Sequence, residues 1–248
     1  KPMKLLVCIS KAPDTTSRIA FTDGDKNFDE SDVQFIINPY DEWYALVRAI
    51  EITESSVGSV TTITVGEASC DPIIRKALAI GANDAVRINT VPTDSAQVAR
   101  LIANYADGQG FDAIMCGKET IDHNSSAVPA MIAECLDLPF VAFATSLDMN
   151  DGSSSLTCET AGGTNSVKVT GPFVLSAAKG MSEQRIPNMR GIMSARTKPL
   201  QVIEADGVQV PTAIEKFTLP PAKGSCVMVD AENTAELVRL LREEAKII

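Results

Sequence analysis

Along its first two-thirds the chain alternates short apolar runs with stretches of helical period, and few architectures accommodate that order. "KLLVCIS" (4–10), "SVTTITVG" (59–66), "DAVRIN" (84–89) and "FDAIMCG" (111–117) read as strands. Between them, "PYDEWYALVRAIEITE" (39–54) places Trp43, Leu46, Val47 and Ile50 on one helical face. "DPIIRKALAIGA" (71–82) opens with Asp71 as N-cap and Pro72 in the first helical position, and Gly81 closes it. "TDSAQVARLIANYA" (93–106) begins with a capping residue and carries Val98, Leu101, Ile102 and Tyr105 at helical spacing, and 127–137 reads as one more helix. Apolar strands separated by helices predict the α/β class: an open, mostly parallel sheet with helices on both faces.

The pattern then changes. "FVAFATSLDMN", "SSLTCETAGG" and "TNSVKVTGPFVLSAA", within 140–180, read as shorter, mostly antiparallel strands joined by Gly and Ser turns. The segment 181–200 has no clean period, and 205–224, with its prolines, reads as an extended arm. "DAENTAELVRLLREEAKII" (230–248) is an amphipathic helix with Ala235, Leu237, Val238, Leu240 and Leu241 toward a partner surface. The expected division is a nucleotide-binding α/β domain over 1–205 and a C-terminal arm and helix over 206–248.

Composition removes several functions. A net charge of −10 and 5% aromatic residues leave neither the basic surface nor the stacking rings of a nucleic-acid binder. One His and six Cys without a C-x-x-C pair predict no metal site. The cysteines read as reduced, buried thiols. No apolar run is long enough to span a bilayer, and the first residues lead straight into a strand without signal-peptide anatomy. A cytoplasmic protein without direct membrane insertion is expected.

The stretch "GKETIDHNSSAVPA" (117–130) empties a strand into a polar loop and then a helix start. In open α/β sheets a phosphate sits at such a place. Ser125 and Ser126 are hydroxyl donors for it; plain capping by Asn124 or Ser125 is the alternative. Gly66, after the strand 59–65, would let a nucleotide approach, and Asn38 precedes another helix start as ligand contact or, like Asp41, as cap. His123, without a nucleophile motif around it, reads as a loop residue rather than a base. In "QRIPNMRGIMSARTKP", Ile186, Met189, Ile192 and Met193 interleave with Arg185, Arg190 and Arg196. That mixture suits an adaptable docking surface; the alternative folds the apolar residues into the core.

Several segments together resemble the β subunit of electron transfer flavoprotein: "KLLVCISKAPDT", "INPYDEWYALVRA", "TVGEASCDPIIRKALAIGANDAVRI", "FDAIMCGKETID", "CETAGG" followed by "GPFVLSAA", and "RIPNMRGIMSARTKPLQVIEA". The resemblance implies a fold like that of the adenine nucleotide α hydrolases and an electron carrier subunit without catalytic residues. Such a subunit pairs with an α subunit, which holds most of the redox FAD. It shuttles electrons from acyl-CoA-type flavin dehydrogenases, as in fatty acid oxidation, to a membrane quinone oxidoreductase or another acceptor. Its own nucleotide is AMP, or a second FAD in the bifurcating type. Carried over by position, the nucleotide contacts are Cys8, Asn38, Val65, Gly66, Gly117, Asp122, His123, Asn124, Ser125, Ser126 and Val128. Tyr40 and Glu159 fall near the flavin. Arg185, Ile186, Pro187, Met189 and Arg190 fall in the partner-docking loop.

The chain departs from the family pattern in places. His123 stands where the bifurcating group has Gly, and Ala161 replaces Asp in the usual D-G-G turn. Rival readings are an adenine-nucleotide hydrolase or ligase, for which the loop "ISKAPDT" lacks the required Gly residues, and a stress-type nucleotide-binding protein, against which the C-terminal arm speaks.

Overall fold

A computed structural model describes residues 2–150, 152–205, 207–208 and 212–248. In chain order the elements begin with β1 (Met3–Cys8), β2 (Lys11–Pro13), β3 (Phe21–Thr22), β4 (Asn27–Phe28), β5 (Phe35–Ile37), α1 (Asp41–Ser55) and β6 (Gly58–Val65). They continue with α2 (Asp71–Ile80), β7 (Asp84–Asn89), α3 (Ser95–Ala106), β8 (Ala113–Gly117) and α4 (Val128–Leu136). The remainder is β9 (Phe140–Asn150), β10 (Ser153–Thr160), β11 (Gly163–Thr170), β12 (Phe173–Ala177), α5 (Met189–Ala195), β13 (Leu200–Glu204) and α6 (Thr234–Arg239).

Among the described residues, nine strands form one sheet in the order β11-β10-β9-β12-β8-β1-β6-β7-β13. From β9 to β13 every neighbouring pair is parallel; β10 and β11 add an antiparallel extension. The alternation along β1 shows why both faces are covered. Leu5 and Val7 point into a core built with α1 and α2, while Leu6 and Cys8 point into a second core built with α3 and α4. The α/β class and the open, mostly parallel sheet hold.

Four details differ from the sequence reading. In the region 140–180, β9, β10 and β11 are antiparallel as expected, but the strands are not shorter, β9 running eleven residues, and β12 lies parallel between β8 and β9. β12 is buried at all five positions, so its unbroken apolar run marks an interior parallel strand. Asp71 is not an N-cap. A 3-10 turn over Ala68–Cys70 precedes α2, and the Asp71 carboxylate accepts a 2.8 Å bond from Arg87 Nε instead. The segment 181–200, which has no clean period, nonetheless contains α5, and the edge strand β13 begins at its end. The C-terminal helix is shorter than its amphipathic pattern. α6 gives way to a π turn over Leu240–Glu244, and no residue of either is buried.

The arm at 212–233 has no regular element and is mostly exposed; Asp206 and residues 209–211, where the arm was expected to begin, lie outside the described residues. The arm touches the β3–β4 hairpin. Phe217 stacks on Phe21 with ring centroids 4.9 Å apart, its N–H reaches Asp25 O at 2.8 Å, and Lys216 pairs with Asp25 at 3.5 Å.

Candidate functional site: a crevice at the strand ends

The order of the central strands reverses at β1. The chain first builds outward through β6 and β7, then returns to add β8 and β12 on the other side. The carboxyl ends of β1 and β8 therefore bound a crevice that no crossover covers, the general ligand position of open α/β sheets. Cys8, Gly117, Val65 and Gly66 lie at the ends of β1, β8 and β6 on this edge. The loop 118–127 rises from the same edge into α4.

The floor of the crevice is close-packed. Glu42, in the first turn of α1, is only 6% exposed. Its Oε2 accepts the Ser10 N–H and its Oε1 the Ser10 hydroxyl, both at 2.8 Å. Burial pushes the Glu42 carboxyl up to about 8, against the pull of the Ser10 bonds, and Asp122 and Asp41 push the same way. Gly117 lies directly over it. A Cβ there would meet Glu42 Cγ at 2.7 Å and its backbone N at 2.8 Å, so this close approach requires glycine. Gly66 is constrained likewise, by Cys70 Sγ. Beside Gly66 the buried Arg87 joins Gly66 O at 3.1 Å and Asn89 Oδ1 at 2.7 Å. The Cys8 thiol is held well above its usual range by hydrogen bonding with Cys116, then by burial.

Asn38 is fully buried, and its side chain is engaged with the loop. Nδ2 donates to Glu119 O at 3.0 Å, and Oδ1 accepts the Ile121 N–H at 2.9 Å. It thus shapes the loop from beneath. Asp122, His123, Asn124, Ser125 and Ser126 are exposed, and Val128 is half-buried. Asn124 and Ser126 take positive φ, 49° and 51°, and the Asn124 N–H donates to Thr120 O at 2.9 Å. Ser125 Oγ lies 3.1 Å from Ser95 Oγ, and Ser126 Oγ donates to Glu119 Oε2 at 3.3 Å.

The capping alternative does not describe this loop: α4 has Ala127 at its N-cap and no side-chain cap. Its first turn carries no acidic residue, so among the described residues the amide end of the helix has no capping side chain. Nor do Asn38 and Asp41 cap α1, whose N-cap is Tyr40, again without a side-chain bond. Lys118 pairs with Glu119 at 3.2 Å, and that bond, with Asp41 and Glu159, raises its pKa. A helix start without a side-chain cap and two exposed loop hydroxyls are chemically suited to an anionic group such as a phosphate; the donors are amides and hydroxyls rather than a cluster of cations.

The two flavin-proximal candidates lie on the same side. Tyr40 is half exposed at φ 64° and lines a cavity of about 390 Å³ with Tyr44, Lys179, Ser182 and Glu183. Glu159 is exposed at the tip of the β10–β11 hairpin. The docking candidates are separate from the crevice, on the long crossover from β12 to β13. The core alternative for them fails: Ile186 is 85% exposed, Met189 73%, Met193 66% and Ile192 42%. Pro187 is half-buried and Arg190 exposed. Arg185 is not a free steering charge, because its guanidinium makes a bidentate pair with Glu54 at 2.8 and 2.9 Å.

A family described as the electron transfer flavoprotein domain matches residues 25–208. The chain is 34% identical to the electron transfer flavoprotein subunit β of Bacillus subtilis, over 99% of this chain and the whole of that one.

It belongs to the electron transfer flavoprotein β-subunit family.

Similarity extends to the β subunits of Syntrophomonas wolfei, 33% identical over 93% of this chain and 91% of that one, and of Homo sapiens, 27% over 99% of each. Within this chain, sequence reasoning missed Glu42, Ser10 and Arg87. An acidic residue in a first helical turn is commonplace, and nothing in the sequence says that Glu42 points inward. Two cysteines also differ from expectation, since Cys135 and Cys226 are exposed. Among the described residues no metal-binding cluster occurs and no helix is long and apolar enough to cross a membrane.

Proposed function

We propose that this chain is the β half of a heterodimeric electron carrier that takes electrons from acyl-CoA-type flavin dehydrogenases and delivers them to a quinone oxidoreductase. The carrying observation is the separation of two surfaces: a nucleotide-type crevice at the β1 and β8 ends, and an exposed apolar loop at Ile186 on another crossover. In this reading the chain supplies no catalytic residue. The redox FAD lies against a partner α subunit, with Tyr40 and Glu159 near it, and supplies the electron chemistry when bound. The crevice holds AMP as a structural group. The α4 amides, Ser125 and Ser126 face the phosphate; Cys8, Val65, Gly66 and Gly117 border the nucleotide at the strand ends; Asn38 fixes the loop that carries Asp122, His123 and Asn124. The division into a domain over 1–205 and an arm over 206–248 that packs on the α subunit belongs to the same reading.

Ile186, with Met189 and Pro187 beside it, is the docking anchor. Redox encounters use small interfaces, in which one apolar anchor supplies most of the energy and rim charges such as Arg190 steer approach. The test is Ile186→Ala in the heterodimer. We expect slower reduction by an acyl-CoA-type dehydrogenase, with flavin content and melting temperature as in the wild type, because the side chain is exposed. Unchanged reduction kinetics would contradict the docking role.

A further inference from the structure

α5 has seven residues, too few for a helix to hold itself together in water, yet it presents Met189, Ile192 and Met193 to solvent. Its anchorage is reciprocal. From α2, Arg75 Nη1 donates to Ala195 O at 2.8 Å and Lys198 O at 2.7 Å, closing the carboxyl end of α5. From just beyond α5, Lys198 Nζ donates back to Leu78 O at 2.8 Å and Ala82 O at 2.5 Å, closing the carboxyl end of α2. Terminal carbonyls without helical partners are natural acceptors for such cations. Between the two bonds the helices touch backbone to backbone, for a Cβ on Gly191 would collide with Ala79 O. At the other end, Asn188 Oδ1 accepts the Gly191 N–H at 2.8 Å.

We propose that Arg75 and Lys198 are positioning residues for partner docking: by exchanging carboxyl-end caps between α2 and α5 they hold the apolar platform in one orientation. This rests on the docking reading of the preceding section. It adds that the surface is pre-formed rather than ordered by the partner. Neither residue touches the partner. Each acts through α5, so its loss lowers the fraction of chains competent to dock, and apparent affinity falls by that fraction.

The experiment uses the heterodimer with Lys198→Met, Lys198→Arg and Ile186→Ala, and a flavin dehydrogenase that reduces the wild type. Amide hydrogen exchange over 189–195 is measured beside KM and kcat for the dehydrogenase. In Lys198→Met we expect faster exchange, a KM raised roughly fivefold if about a fifth of chains remain competent, and kcat unchanged; Lys198→Arg restores both readouts. Faster exchange with an unchanged KM overturns the proposal, and so does unchanged exchange. If Ile186→Ala still raises KM in those cases, the docking reading survives; if it does not, that reading fails too. Should Lys198→Met not assemble, Arg75→Met removes only the caps on α5 and carries the same expectations.

Discussion

Glu42 is an acid in a place where a charge is hardest to hold. Desolvation favours its neutral form, and no cation pairs with it among the described residues, while Asp41 and Asp122 oppose its ionisation. The neutral acid keeps the amide bond from Ser10, and its hydroxyl bond to Ser10 Oγ can run in either direction. The consequence for stability follows from linkage. Between pH 4.5 and about 8 the unfolded chain releases a proton that the folded chain retains. Stability therefore falls as pH rises through that window, by at most roughly 1.4 kcal/mol per unit, and levels off above it. Glu42→Gln keeps the shape without the titration. We expect its stability relative to wild type, measured by urea unfolding, to improve by a few kcal/mol between pH 5 and pH 8. A difference that does not change with pH would contradict the assignment.

At the scale of elements, the C-terminal helix shows what a pattern can and cannot say. Its apolar spacing is plain in the sequence, yet Leu237 and Val238 are 46% and 44% exposed, so this chain does not bury the face. The arm before it is fixed in cis at Phe217. Truncation before Asp230 leaves that anchorage in place. We expect it to weaken the heterodimer by several kcal/mol, at about 1.5–3 per large aliphatic side chain that a partner covers; a heterodimer dissociation constant equal to wild type would contradict this. The central strands and α1 to α4 were legible because each carries an unbroken period over its whole length. β13 was not: only five residues long, it is an exposed edge strand whose place is set by pairing with β7. α5 was not, because its order comes from Arg75 and Lys198 rather than from its own period. In the candidate site, the place of the polar loop between β8 and α4 and of Gly66 after β6 could be read, since polar runs and glycines interrupt the apolar period there. The inward turn of Glu42 and the clamp made by Asn38 are tertiary facts with no sequence periodicity behind them.

Across the whole molecule, the strand order places the crevice, and the proposed nucleotide site follows from it. β1 lies between the two directions in which the sheet grows, and there Gly117 brings the backbone onto Glu42 while α4 begins without a cap. Docking is assigned elsewhere, on the crossover to the far edge. The central claim is a β subunit that holds a structural adenine nucleotide while the redox flavin belongs to the paired assembly. Its most direct test is the released nucleotide content of the heterodimer after acid precipitation, read beside the flavin absorbance of the intact protein. The account predicts one FAD and one AMP per heterodimer. Two flavins and no AMP, or one flavin and no second nucleotide, would contradict it.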